Sequence, residues 1–356
     1  MPTRTRPPVV QDAIIEHLRS RIISGKLSPG DRLPPRAEIE KRFKTSTVTV
    51  QRAFDRLIDY GFVVARGRQG TFVVPHPPHL YRYALAFPET RGGAGWVRFW
   101  TVLTNVAREL EQSSDLSIPL YHALDRSRPN GDLSRLVDDI EQKRVAGVIF
   151  PTNPFLVEGT RILEEPDLPR VAVMSKRMPG VASIELDRRS FVDKALDHFA
   201  ARGRKRIALL TVPGVAGTFV DSFVEGLQKR KMTTRDWLIQ TALQSEPRWS
   251  TNVVRLMLRC PAAERPDGLL ITDDNLVEHA CQGVIAAGLT VPDDLAIVAH
   301  CNYPAPVPSV LPVQRLGYDI RNLLRTCIDV AGRLRAGKRI RSVTMLPAVF
   351  ESELNA

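Results

Sequence analysis

Residues 45–61 read TSTVTVQRAFDRLIDYG, and how this stretch divides by helical period decides what surrounds it. Val50, Ala53, Phe54, Leu57 and Ile58 recur at the spacing of one apolar helix face, so a helix is predicted from about Thr47 to Tyr60, stopped by Gly61. The other face opens with Ser46, Thr47, Thr49, Gln51 and Arg52, crowded into the first turns. A helix N-terminus turns free N–H groups and positive dipole toward an anion. Short hydroxyls allow close approach to a phosphate backbone, and Gln and Arg reach base edges. That arrangement suits a recognition helix lying in the major groove of duplex DNA.

The flanks agree. Upstream, Ile14, Ile15, Leu18, Ile22 and Ile23 stripe a helix from Gln11 to Ser24 that ends at Gly25. After a turn at Ser28-Pro29-Gly30, Leu33-Pro34-Pro35 opens a second helix reaching about Phe43, with proline tolerated in the first turn. Downstream, Phe62–Arg66 and Gly70–Val74 are β-rich runs joined by Gly67-Arg68-Gln69, a hairpin with Arg66 and Arg68 at its tip. Residues 1–75 carry 14 Lys/Arg against 7 Asp/Glu, whereas the other 281 carry 36 against 32. A basic head on a nearly neutral body points to a polyanion as the head's partner.

The segments Ile22–Pro34, Thr45–Ala53 and Gly70–Val73 together resemble the GntR-family winged helix-turn-helix, over essentially all of residues 10–74. The resemblance implies DNA-facing roles for Ser46, Thr47, Thr49, Gln51, Arg52, Arg68 and Gly70, and Arg66 and Gln69 of the hairpin are candidates beside them. Where the family has Ser-Glu-Arg after Leu-Pro, this chain has Pro35-Arg36-Ala37. The cap hydroxyl is lost and the arginine is displaced by one, which leaves Arg36 as a phosphate contact.

Composition narrows the remaining classes. Apolar content of 43% supports ordinary cores, and no apolar run is long enough to span a bilayer. Met1–Pro8 has charge without an apolar segment behind it, so no secretory leader is expected and the cytoplasm is the expected compartment. Cys260, Cys281, Cys301 and Cys327 are scattered, with no CxxC pair; neither a metal site nor a cofactor is expected.

Three units are predicted: a DNA-binding domain over 1–74, a Pro-rich extended linker over 75–80 and a larger body over 81–356. Pro75-His-Pro-Pro-His79 stiffens the connection. Beyond it strands and helices alternate. Tyr83–Phe87, Ile118–Ala123, Val145–Phe150, Arg170–Met174, Arg206–Thr211, Gly268–Thr272 and Leu295–His300 are β-type. Trp96–Gln112, Asp132–Lys143, Arg189–Ala201, Val220–Lys229 and Asn275–Ala287 are helical between them. Such alternation predicts an α/β body of parallel sheets with helices on both faces, and about 270 residues suffice for two lobes with a cleft.

Val145–Phe150, Ile184–Asp187, Ala201–Ala208, Pro266–Asp274 and Ala287–Val298 are similar, in order and spacing, to the LacI/GalR effector domain, which resembles periplasmic sugar-binding proteins. A GntR-type head on such a body resembles the arabinose-repressor-like regulators. The resemblance implies operator binding as a homodimer held by the C-terminal domain, and a small-molecule effector of carbohydrate type between the lobes. It directs attention to Asn153, Phe219, Asp221, Asp273, Asp274, His300 and Asn302 as cleft-lining candidates. Phe223 stands where sugar-binding members have arginine, and Ala299-His300-Cys301-Asn302 replaces a Gly-aromatic-Asp-Asp turn.

Other readings stay open at this level. Gly92-Gly-Ala-Gly95 follows a strand, but Arg98 occupies the last glycine position of a dinucleotide loop. No nucleophile elbow, HExxH or P-loop is present, and the signatures of an aminotransferase-like body are missing, so no catalytic residue is assigned. A periplasmic solute-binding protein would not carry the basic head. A regulator with a degenerate cleft, governed by a partner protein, is the remaining alternative.

Overall fold

The computed structural model describes residues 10–354 except 129 and 342. The N-terminal segment 1–8, read above for a leader, lies outside the described residues.

The head folds as three helices and a hairpin: α1 (Val10–Ile23), α2 (Arg36–Phe43), α3 (Thr47–Asp59), β1 (Val63–Ala65) and β2 (Thr71–Val73). The predicted apolar stripes converge on one core, in which Ile14, Leu18, Val50, Ala53, Phe54, Leu57 and Phe62 are buried. Ser46 caps α3 by accepting the Thr49 N–H at 3.3 Å, a contact worth about 1 kcal/mol at a helix start. The cap of α2 is Pro35, which offers no side-chain acceptor. The lost hydroxyl read from the sequence is therefore not replaced locally.

The connector departs from the extended form expected of it. Pro78–Tyr81 makes one helical turn, α4, with proline at its start. Proline at the first helical position gives up an N–H that had no partner, so the turn fits the sequence as well as an extended strand does. His79 stacks on Phe62 of the head with centroids 5.8 Å apart, and Arg19 of α1 donates to the Gln142 side chain at 2.7 Å. The head thus rests on the body through a buried arginine as well as through the chain.

The body has two six-stranded sheets. The first is ordered β13-β7-β6-β5-β3-β4, all parallel, from β3 (Tyr83–Ala86), β4 (Leu120–Tyr121), β5 (Gly147–Phe150), β6 (Arg170–Val173), β7 (Ala182–Asp187) and β13 (Val343–Pro347). The second is ordered β14-β12-β11-β10-β8-β9, from β8 (Ile207–Thr211), β9 (Ile239–Thr241), β10 (Gly268–Ile271), β11 (Ala296–Tyr303), β12 (Gln314–Asp319) and β14 (Val349–Phe350). Only β14 in it runs antiparallel. The helices are α5 (Arg98–Ser113), α6 (Leu133–Glu141), α7 (Arg161–Glu164), α8 (Arg188–Ala201), α9 (Ala216–Lys229), α10 (Trp249–Leu258), α11 (Val277–Ala286) and α12 (Ile320–Arg335). Central strands such as Gly147–Phe150 and Ile207–Thr211 are buried along their whole length, as continuous apolar runs in a parallel sheet must be.

The chain passes between the lobes three times: from β7 into α8, from β12 into α12, and from β13 into β14. Two of these passages are marked by capping aspartates. Asp187 accepts from the Ser190 N–H at 3.0 Å, and Asp319 accepts from the Arg321 and Asn322 N–H groups at 2.9 and 3.1 Å. Each carboxylate satisfies donors that the first turn of a helix leaves open, which fixes where the strand ends and the helix begins.

Candidate functional site

Two sites emerge, one on the head and one between the lobes. On the head, Ser46, Thr47, Gln51 and Arg52 are exposed along the start of α3, with Thr49 half-buried beneath them. Gln51 is held by its own helix, its amide donating to Asp55 at 2.7 Å. Arg36 lies over the Phe54 ring at 5.1 Å, so its aliphatic stem is packed and its position set from below.

At the wing, Gly67–Gln69 forms a short 3-10 turn between strands of three residues, exposing Arg66, Arg68 and Gln69. Gly70 has φ +111°, and a Cβ there would meet Arg32 Nε at 2.7 Å. The backbone angle is what requires glycine, since the Arg32 side chain can move aside. Arg32 was not among the sequence candidates. It is brought to the wing by an isolated antiparallel bridge to Phe72, a long-range pairing that no local pattern announces.

Between the lobes lies a cavity of about 480 Å³, within the range of small-molecule sites. It sits at the carboxyl ends of the parallel strands, where loops of both sheets converge. The second lobe supplies Phe219, Thr272, Asp273, Asp274, Asn275, His300, Asn302 and Tyr318 among others; the first supplies the Ala94–Val97 loop, Phe99 and Leu186, and Arg188 stands at the passage between them.

Strand alternation explains the β11 residues. His300 and Asn302 face the cavity, while Cys301 between them is turned away and buried. Asn302 donates from Nδ2 to Asp274 Oδ2 at 2.8 Å, and both residues are almost wholly buried. Burial raises the Asp274 carboxyl above its usual range; the neighbouring His300, the Asn302 hydrogen bond and Arg98 oppose that shift. Asp273 is fixed by Gln244 Nε2 at 2.6 Å and Asn275 Nδ2 at 2.7 Å, so it presents a set geometry.

Of the seven cleft candidates, Phe219, Asp273, Asp274, His300 and Asn302 line this cavity. Asp221 and Asn153 do not. Asp221 is exposed two residues further along α9, where the helical rotation carries it off the cavity wall. Asn153 closes a local turn, its Oδ1 accepting the Phe155 N–H at 3.1 Å, beside a small separate pocket at the end of β5. Phe223 is fully buried in the core.

Residues that the sequence reading passed over include Trp96, Phe99, Arg188, Gln244 and Tyr318. Tyr318 and Arg188 fall at strand-to-helix passages, where neither helical nor strand period is complete. A polar residue immediately after an apolar strand was the available signal.

Residues 10–73 match the model of the bacterial regulatory proteins of the gntR family, and residues 196–347 that of the periplasmic binding protein-like domain. Along most of its length the chain is similar to the arabinose metabolism transcriptional repressor of Geobacillus stearothermophilus. They are 23% identical over 322 residues, covering 85% of this chain and 84% of that protein. The HTH-type transcriptional regulator TauR of Rhodobacter capsulatus is 30% identical over 89 residues, 25% of this chain and 18% of that one.

Among solved structures, a LacI family regulatory protein from Chloroflexus aggregans superposes with a TM-score of 0.61 at 18% identity, covering 76% of this chain and 96% of its own. A LacI family transcriptional regulator from Lactobacillus casei with bound glucose gives 0.55 at 15% identity, covering 76% and 98%. At such identities the likeness establishes the fold of the body.

Proposed function

We propose that this chain, a transcription regulator with a gntR-type helix-turn-helix head on a periplasmic-binding-protein-like body, is a repressor whose hold on operator DNA is set by a carbohydrate-type effector in the cleft. The observation that carries the reading is the exposed start of α3, capped by Ser46 and flanked by the arginine-tipped wing. Thr47, Thr49, Gln51 and Arg52 there face the duplex, with Arg36, Arg66, Arg68, Gln69 and the backbone at Gly70 on the phosphates beside it. The effector reading is supported by the cavity's carboxylates and aromatic walls, and by the glucose-bound Lactobacillus casei regulator that shares the fold. The body carries no chemistry of its own in this reading, and the protein works in the cytoplasm.

Two copies act together. Trp249 and Leu256 lie seven residues apart on one face of α10, 63% and 69% exposed, and Ile285 of α11, the helix packed against α10, is 50% exposed. An apolar stripe of this kind on paired helices suits a second copy across a two-fold axis, which would hold two heads at the spacing of a near-palindromic operator. Effector closes the lobes and changes that spacing, and DNA affinity changes only as far as effector distinguishes the two states.

The test is DNA binding across a salt series, on a duplex identified by footprinting. Arg52→Ala and Arg68→Ala are each expected to weaken binding and to lower the salt slope by about one, with the thermal midpoint unchanged. Unaltered DNA affinity in both variants would refute the docking.

A further inference from the structure

Arg188 opens α8 at the first passage between lobes and lines the cavity, half-buried. Its guanidinium lies over the Phe219 ring at 5.9 Å. Among the described residues it makes no hydrogen bond and no ion pair, although a partner stands close by in sequence: the Asp187 carboxylate is committed to capping α8.

Three further polar atoms on the same wall lack partners among the described residues, one of them His300 Nδ1. The other two, the most deeply buried, are the Tyr318 hydroxyl and Asn302 Oδ1, on residues only 2% and 1% exposed. A buried polar atom left unpaired is destabilising, so a ligand that pairs these groups recovers that loss on binding. Burial pushes the Tyr318 phenol well above its usual range, the Arg188 charge opposing and the Asp187 and Glu185 carboxylates adding to it, so its hydroxyl is a donor. The carboxylates nearby are already engaged, Asp273 with Gln244 and Asn275, and Asp274 with Asn302. What the cavity lining leaves unpaired is therefore a cation, a hydroxyl donor, an amide acceptor and one nitrogen of the His300 ring.

We propose that the effector is a hydroxylated organic anion, a sugar bearing a carboxylate or phosphate group, whose anionic end pairs with Arg188 and Tyr318 while a hydroxyl donates to Asn302. The proposal rests on the cleft being the effector site. A neutral sugar would leave the guanidinium, partly removed from water, with no counter-charge hydrogen-bonded to it. A carboxylate or phosphate supplies acceptor oxygens in the geometry that guanidinium matches best. The aromatic wall of Trp96, Phe99 and Phe219 leaves room for the sugar's apolar face.

Calorimetry on the full chain at low salt, with matched probes, tests this. Glucose is compared with glucuronate and glucose 6-phosphate, and arabinose with arabinonate and arabinose 5-phosphate. At least one anion is expected to bind about tenfold or more tightly than its neutral parent, the scale of one charge-assisted pair. The responding member tells carboxylate from phosphate. Arg188→Gln is expected to erase that advantage and Arg188→Lys to keep part of it, with free-protein melting points showing that both variants fold. Neutral parents binding as tightly as their anions, with Arg188→Gln unaffected, overturn the proposal and leave the effector site standing. Silence of the wild type toward every probe overturns both.

Discussion

The guanidinium of Arg98, on the first lobe, stands 4.0 Å from the Asp274 carboxylate on the second, and the Arg98 amide donates to Asn275 at 3.1 Å. This is a direct electrical link across the cleft. Burial raises the Asp274 pKa, and Arg98 is among the groups holding it down.

A stability cycle follows from that pair. With its folded pKa raised above the unfolded value, Asp274 binds a proton more tightly in the native state. Its burden on stability is present above the folded pKa and fades as pH falls through it. At neutral pH, Arg98→Ala should lower the melting temperature, and Asp274→Asn should cost little or stabilise. In the Asp274→Asn background most of the Arg98→Ala effect should vanish. Equal losses in both backgrounds would show that Arg98 acts by packing alone.

The wing glycine offers a second measurement. Gly70→Ala places a methyl at φ +111° against Arg32, and should destabilise the head by about 1 kcal/mol or more while weakening DNA binding. Gly217, helical and with open space where its Cβ would lie, is the control. Gly217→Ala should be neutral or stabilise by up to about 1 kcal/mol. Denaturant melts read both, and a silent Gly70→Ala would mean the wing tip readjusts freely.

The pairing of two copies is open to sedimentation. Leu256→Glu puts a charge into the exposed α10 stripe, on its most exposed apolar residue. The full chain should then sediment at half the wild-type mass, with affinity falling more for a palindromic duplex than for a half-site. An unchanged mass would move the interface elsewhere.

The head was almost fully legible because its information is local. The stripe from Val50 to Ile58 and the stops at Gly25 and Gly61 are read within a few turns, and all of them reappear in α1 and α3. In the body the apolar runs located central strands such as Gly147–Phe150 and Gly268–Ile271. The ends were less legible. Of the predicted β-run Ile118–Ala123 only Leu120 and Tyr121 are strand, because partners decide how much of an apolar stretch becomes strand.

The cleft was legible in part for the same reason. Asp273, Asp274, His300 and Asn302 follow or end apolar strands, so their place at the carboxyl edge could be inferred. Arg188 and Tyr318 face the cavity only because β7 and β12, in different sheets, deliver the chain to the same gap. That meeting is a fact of three-dimensional threading; a window of sequence shows at most that each stands at the end of a strand.

The same threading has a consequence for synthesis. Because the last two strands are dealt one to each sheet, neither lobe is a continuous stretch of chain, and both have an outer edge made from residues 343–350. A message cut short before Val343 would yield a product with a bare strand edge on each half, open to pairing with other chains. On the ribosome, too, neither half could reach its finished sheet before residues 343–350 have emerged.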